Sequence, residues 1–255
     1  MKEQTNTGAN MRFAIGEAGR YCLERYKVEG ETYYNEAKAK YNELLQRMAA
    51  GAIEPTADEA PVLFGFVELE NLRNGIAKAK EQAQPIGADT LTQLLTAYGG
   101  NIGRWQLFTD LLKADGVELT REAMAAGLLF AYSTAKADKA EVLGLLLKAK
   151  REGLQIGEPI RHLPQTLTIY RGGNVSEQTD GYGLSWTLDA QIAAFFAYRA
   201  GDTNGQRVIF ETRINKAEVL GFTDSRHEAE VLADINAKHP FPVSVIKASP
   251  DTFKK

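Results

Sequence analysis

The hydrophobic period changes once along this chain, near Gly157-Glu158-Pro159, and that change limits the folds open to it. Before it, apolar residues recur at the three-to-four spacing of amphipathic helices. After it, short apolar or alternating runs dominate: Leu167 to Tyr170, Val208 to Ile214, Val219 to Phe222, Val231 to Ile235 and Val243 to Ile246. Runs of this length read as strands. The expected class is therefore α+β, an all-helical N-terminal portion over residues 1–155 and a compact, mainly β portion over 156–255.

The helical portion divides by its own punctuation. Phe13, Ile15, Tyr21, Leu23 and Tyr26 suggest a helix up to Val28, interrupted at Gly30. Tyr34, Tyr41, Leu44, Leu45 and Met48 share one face of the next helix, which ends at the Gly51–Pro55 break. Thr56 or Asp58 can cap a long helix toward Gln84 that carries Val62, Leu63, Phe66, Leu69, Leu72 and Ile76. Asp89 can cap a short one with Leu91, Leu94, Leu95 and Tyr98, stopped by Gly99-Gly100. Trp105, Phe108 and Leu112 mark another. Thr120, with Leu119 as a staple, opens the helix of Met124, Leu128 and Ala131. The last helix holds Val142, Leu143, Leu146 and Leu147; its basic end, Lys148, Lys150 and Arg151, reads as a solvated helix terminus suited to the dipole. Within the β portion a single helix is expected, from about 188 to 200, with Asp189 in its first turn and Ile192, Phe195, Phe196 and Tyr198 along it. Gly201–Gly205 reads as a loop.

Composition narrows the function classes. Hydrophobic residues make up 44% of the 255, enough for a core, and the formal net charge is -3, which gives no overall nucleic-acid signature. The lone Cys22 excludes an internal disulfide and reads as a packed thiol. His162, His227 and His239 lack metal-ligand spacing, so no metal is expected. No apolar run is long enough to span a bilayer, and the polar N-terminus lacks the apolar segment of a signal peptide. A cytoplasmic protein is the expectation, in a bacterium or in a host cell reached without a cleaved signal. No Gly-x-Gly-x-x-Gly follows a strand, no P-loop occurs, and Ser185 has no local His/Asp partner, which argues against a Rossmann dinucleotide site, an NTPase and a serine hydrolase.

Three polar stretches sit in or beside the strand-like runs: Tyr170-Arg171-Gly172, Ser185-Trp186-Thr187 and Glu228-Ala229-Glu230. Residues two apart on a strand face the same side, so Ser185 with Thr187, and Glu228 with Glu230, can each look into one cleft. One fixed cation, one hydroxyl and one carboxylate suit a ligand that carries both phosphate and sugar. Taken singly, each stretch is also compatible with an ordinary strand end or a solvent face.

Taken in order, Arg171, Ser185-x-Thr187 and Glu228-x-Glu230 resemble the signature of mono-ADP-ribosyltransferases of the R-S-E class. The resemblance covers residues 165–248 and includes the aromatic helix at Ala193-Ala194-Phe195-Phe196-Ala197. It implies a compact ADP-ribosyltransferase-like β-sandwich with one prominent helix, and NAD+ as the substrate whose nicotinamide bond is cleaved. Arg171 would grip the diphosphate side of NAD+, and the Gly172 backbone would bond the nicotinamide amide. Ser185 would orient Glu230, the catalytic glutamate; Thr187 would support the cleft; Glu228 would steer or deprotonate the acceptor. Phe195 or Phe196 would pack against nicotinamide or in the core, with Tyr182 a lesser candidate for the same stack. Arg226 and His227 stand as acceptor-site residues or plain surface. The sequence departs from the class in the short spacing between Arg171 and Glu230 and in the bulky Trp186.

Two functions follow. One is an enzyme that transfers a single ADP-ribose to a macromolecular acceptor, a protein first and arginine as its first residue, with a nucleic acid left open. The other is a binding or structural protein, for example of phage origin, that keeps such a fold without turnover. Possession of Arg171, Ser185 and Glu230 together favours the enzyme. The helical portion would position a target, hold a partner or close over the cleft.

Overall fold

The computed structural model describes residues 21–50, 56, 59–99, 103–134, 138–199, 207–235 and 243–247. Phe13, Ile15, the Gly51–Pro55 break, Asp58, Gly100, the Gly201–Gly205 loop and His239 lie outside them, as does the side chain of Val62. The chain divides into two compact units, Met1–Lys136 and Ala137–Lys255.

The first unit is helical: α1 (residues 21–29), α2 (Glu31–Ala49), α3 (Ala60–Lys80), α4 (Ala88–Tyr98), α5 (Arg104–Leu111) and α6 (Arg121–Thr134). α3 is the spine, packing on α2, α4 and α5 and burying Phe66, Leu69 and Leu72, while α6 closes over α4 and α5. Cys22 is buried, and desolvation raises its thiol above the usual range, which fits a packed residue. The buried face of α2 is rotated from the expected one. Tyr33, Tyr34, Ala37 and Leu44 are inside, whereas Leu45 and Met48 are exposed. Tyr34 and Tyr41, both on the expected face, pack with tilted rings against Phe66 of α3. Two helix starts also differ. Asp89 lies in the first turn of α4, whose cap position is Gly87. Thr56 donates its backbone N–H to Glu59 Oε2 at 3.0 Å instead of capping α3 with its own side chain. Thr120 does cap α6, its Oγ1 accepting from the Ala123 N–H at 3.1 Å.

The second unit begins with α7 (Lys139–Arg151), capped by Asp138. β1 (Thr166–Asn174), a short α8 (Glu177–Asp180), β2 (Ser185–Thr187), α9 (Ala190–Arg199), β3 (Arg207–Asn215), a 3₁₀ turn (Lys216–Glu218), β4 (Gly221–Thr223), β5 (Glu230–Leu232) and β6 (Ser244–Lys247) follow. The strands form one antiparallel sheet in the order β4-β5-β2-β1-β3-β6. Helices run to Arg151 and strands begin at Thr166, as the change of period predicts. A second sheet facing the first is not found among the described residues. Lys150, expected in a solvated basic end, instead donates to the carbonyls of Ala217 and Val219 and clips α7 onto the segment after β3.

Alternation gives the sheet two faces. Leu167, Ile169, Trp186, Phe210, Phe222 and Val231 build the main core on one of them. Ile209, with Ala193 and Ala194 of α9 and the partly buried Tyr170, builds a smaller core on the other. Asp189 stands immediately before α9, and its Oδ1 accepts from the Gln191 N–H at 2.7 Å, so this residue caps the helix from just outside its first turn. The helix lies very close to β1. A Cβ at Gly172 would fall 2.0 Å from Ala193 O and 2.4 Å from Ala197 N.

Gly172→Ala therefore forces α9 off the strand and should lower the stability of the second unit by about 3 kcal/mol. Gly144, on the exposed side of α7, would present a Cβ to open space, and Gly144→Ala should gain about 0.5–1 kcal/mol. Denaturant unfolding of the two variants measures both. Equal stability of Gly172→Ala and the parent would show that α9 does not press on β1.

Candidate active site

β1 and β2 pair at a single position, Tyr170 opposite Thr187, while β1 continues along β3 as far as Asn174. Beyond that one pair the two strands part, and a pocket of about 420 Å³ opens between them beneath α9. Arg171, Gly172, Ser185, Thr187, Glu228 and Glu230 all line it, so the residues of the three polar stretches come together in one place.

Thr187 stands opposite Glu230 as well as Tyr170, so Ser185, Thr187 and Glu230 share the α9 face while Trp186 turns into the main core. Glu230 is only 6% exposed. A carboxylate that deep needs partners for both oxygens. The Ser185 hydroxyl donates to Oε1 at 2.6 Å, and Arg226 Nη2 donates to Oε2 at 3.1 Å. Thr187 Oγ1 donates to the Glu228 carbonyl at 2.6 Å and accepts from the Asp189 N–H at 3.0 Å, which ties the glutamate turn to the start of α9.

Arg171 is fixed at three points. Its Nε donates to Glu177 Oε2 at 2.8 Å, and its Nη1 to the Ser185 carbonyl at 2.9 Å, across the gap between the strands. Its third side rests on Gly183, where a Cβ would come within 2.6 Å of Nη2. Glu177 is anchored in turn, Oε1 accepting from the Asn174 N–H at 3.3 Å. The planar fork is thus oriented before any ligand arrives, and Nη2 is its least engaged nitrogen.

Glu228 departs from the strand geometry the sequence implies. β5 starts at Glu230, and Glu228 sits in the turn before it, between His227 and Ala229, whose φ angles are 56° and 43°. That left-handed backbone is rare for residues with a Cβ. It is held by Asp224, which accepts from the His227 N–H at its carbonyl (2.8 Å) and from the Ala229 N–H at Oδ1 (2.9 Å). Arg226 Nη2 lies 2.7 Å from Glu228 Oε2 and so touches both carboxylates. His227 is exposed.

The aromatic candidates separate. Phe196 lines the pocket, whereas Phe195, its neighbour on the helix, is 57% exposed and is not among the lining residues. Tyr182 packs edge-on against Trp186 and Phe210, away from the pocket. The bareness of Gly172, assigned from the sequence to a ligand contact, has its steric reason in α9.

Two charged residues line the pocket without being assigned to the site from the sequence. Glu177 carries no signal beyond being a carboxylate six residues after Arg171. Arg207, opposite Asn174 at the far end of the pocket, lies over the Tyr198 ring with its guanidinium carbon 5.3 Å from the centroid and adds a second cation. For Arg226, which the sequence leaves between acceptor site and plain surface, the signal is the alternating Arg-x-Glu-x-Glu spacing. Among the described residues no group of three or more His, Cys, Asp or Glu could hold a metal ion, and no helix is long and apolar enough to cross a membrane.

Comparison of the chain with family models, curated proteins and solved structures gives no match.

A double-mutant cycle tests the central contact. Ser185→Ala and Glu230→Ala, singly and together, should show a coupling of about 1–2 kcal/mol in urea unfolding of the second unit. Additive effects would mean that the hydroxyl does not hold the carboxylate.

Proposed function

We propose that the second unit is an NAD+-dependent mono-ADP-ribosyltransferase built on an ADP-ribosyltransferase-like sheet. The observation that carries the reading is the 2.6 Å bond from Ser185 Oγ to Glu230 Oε1, beside a pre-oriented Arg171 in one pocket. A hydroxyl that steadies a buried carboxylate next to a fixed cation suits a substrate with a sugar at one end and a diphosphate along its length.

Each group then has a task. Arg171, with Arg207 further along, meets the diphosphate, where a planar fork binds phosphate better than an ammonium. Phe196 and the α9 side of the pocket offer an apolar wall for the nicotinamide. Loss of nicotinamide leaves an oxocarbenium-like ribose, and the Glu230 carboxylate stabilises that positive charge while accepting a ribose hydroxyl. Glu228, a second lining carboxylate less enclosed than Glu230, receives the acceptor and takes its proton. The Glu-x-Glu form resembles transferases that modify arginine, so a guanidinium is the proposed acceptor group.

Arg171→Lys should weaken NAD+ binding about tenfold in calorimetry, because a lysine cannot keep the fork; unchanged affinity would remove Arg171 from the site. The two glutamates should behave differently. Glu230→Gln keeps shape and loses charge, and should cut both NAD+ hydrolysis and transfer about a hundredfold or more. Glu228→Gln should leave hydrolysis by water largely intact and suppress transfer. Nicotinamide release and acceptor labelling, followed in parallel, decide. Equal damage to hydrolysis by both variants contradicts this division. No effect of either variant on either rate points to the alternative, a binding protein without turnover.

A further inference from the structure

We propose that Arg226 is itself an acceptor, modified by the chain that carries it, so that the site transfers ADP-ribose first to its own guanidinium. The inference rests on the transferase reading above and adds a modification site to it.

The geometry is that of an acceptor already seated. Arg226 Nη2 is 2.7 Å from Glu228 Oε2, the proposed proton acceptor, and 3.1 Å from Glu230 Oε2, the group that stabilises the ribose cation. A guanidinium arriving from another protein would need that same contact to Glu228, beside the carboxylate that holds the ribose. Arg226 reaches the pocket through these two carboxylates, whereas the arginines that line it are committed elsewhere, Arg171 to Glu177 and the Ser185 carbonyl, and Arg207 to the Tyr198 carbonyl. The Arg226 side chain is 50% exposed, so its Nη2 is held by the carboxylates while half of the side chain faces solvent. The turn that carries it is pinned by Asp224 and kept in a left-handed course at His227 and Ala229, which delivers the guanidinium to the carboxylates without a diffusional step. Such tethering is worth a large effective concentration relative to any acceptor in solution.

The step balances. Glu228 takes a proton from Arg226 Nη2. The freed lone pair bonds to C1 of the nicotinamide ribose. The bond from C1 to the pyridinium nitrogen breaks, and its electron pair leaves on neutral nicotinamide. The products are ADP-ribosylated Arg226, nicotinamide and one proton, which Glu228 passes to solvent. No oxidant or further reactant is required.

The experiment uses the full chain with NAD+ and no added acceptor, and reads nicotinamide release together with the position of ADP-ribose by fragmentation mass spectrometry. The expected result is nicotinamide release with one ADP-ribose on Arg226, at a rate per chain that does not change with protein concentration. Nicotinamide release with ADP-ribose left free, or attached to another residue, overturns this inference and leaves the transferase reading standing. A labelling rate that rises with protein concentration overturns modification within one chain. No nicotinamide release overturns the transferase reading, and the inference with it.

Discussion

One row of paired residues crosses the second unit: Tyr170 on β1, Thr187 on β2, Glu230 on β5 and Thr223 on β4. The site depends on it. Because the β1–β2 pairing is confined to this row, the strands separate immediately afterwards, and the gap becomes the pocket. Because paired residues share a face, Glu230 is placed beside Ser185 and Thr187 on the side where α9 lies. The close seat of α9 on Gly172 supplies the roof. A slip of one residue along β5 would turn Glu230 into the main core and bring Val231 to the pocket.

Electrostatics then decides which arrangement of that pocket is stable. A carboxylate as enclosed as Glu230 costs several kcal/mol unless it is paired and hydrogen-bonded. Ser185 and Arg226 meet that requirement for Glu230, and Glu177 does the corresponding work for Arg171. Glu230 and Arg171 are thereby both matched within the chain itself. On the proposed reading, a ribose hydroxyl would take the place of Arg226 at Glu230, and the diphosphate would meet the least engaged nitrogen of Arg171.

Much of this was legible in the sequence, for identifiable reasons. The period change marks the passage from helices to strands because burial on one face of each element forces the pattern. The Ser185-x-Thr187 reading holds because both residues lie on a true strand with Trp186 pointing the other way. The Glu228-x-Glu230 pattern brings both carboxylates to the pocket by a different route. Only Glu230 is on the strand, and a turn stabilised by Asp224, five residues before Ala229, sets Glu228. Local spacing does not reveal that turn, because left-handed His227 and Ala229 run against the preference of any residue with a Cβ. Glu177 was invisible for a similar reason: its partnership with Arg171 depends on how the chain folds back after β1. On α2, Tyr34, Tyr41 and Leu44 turn inward as the periodicity predicts, whereas Tyr33 and Ala37 fill the core in place of Leu45 and Met48, a choice made by packing and not by periodicity.

The central claim is that Ser185, Glu230 and Arg171 form a site that breaks the nicotinamide bond of NAD+. Proton NMR of NAD+ incubated with the full chain tests it most directly, since free nicotinamide has its own resonances. The expected result is that these grow with time while those of the intact dinucleotide fall. An NAD+ spectrum that stays unchanged, with neither cleavage nor line broadening at ligand excess, would contradict it.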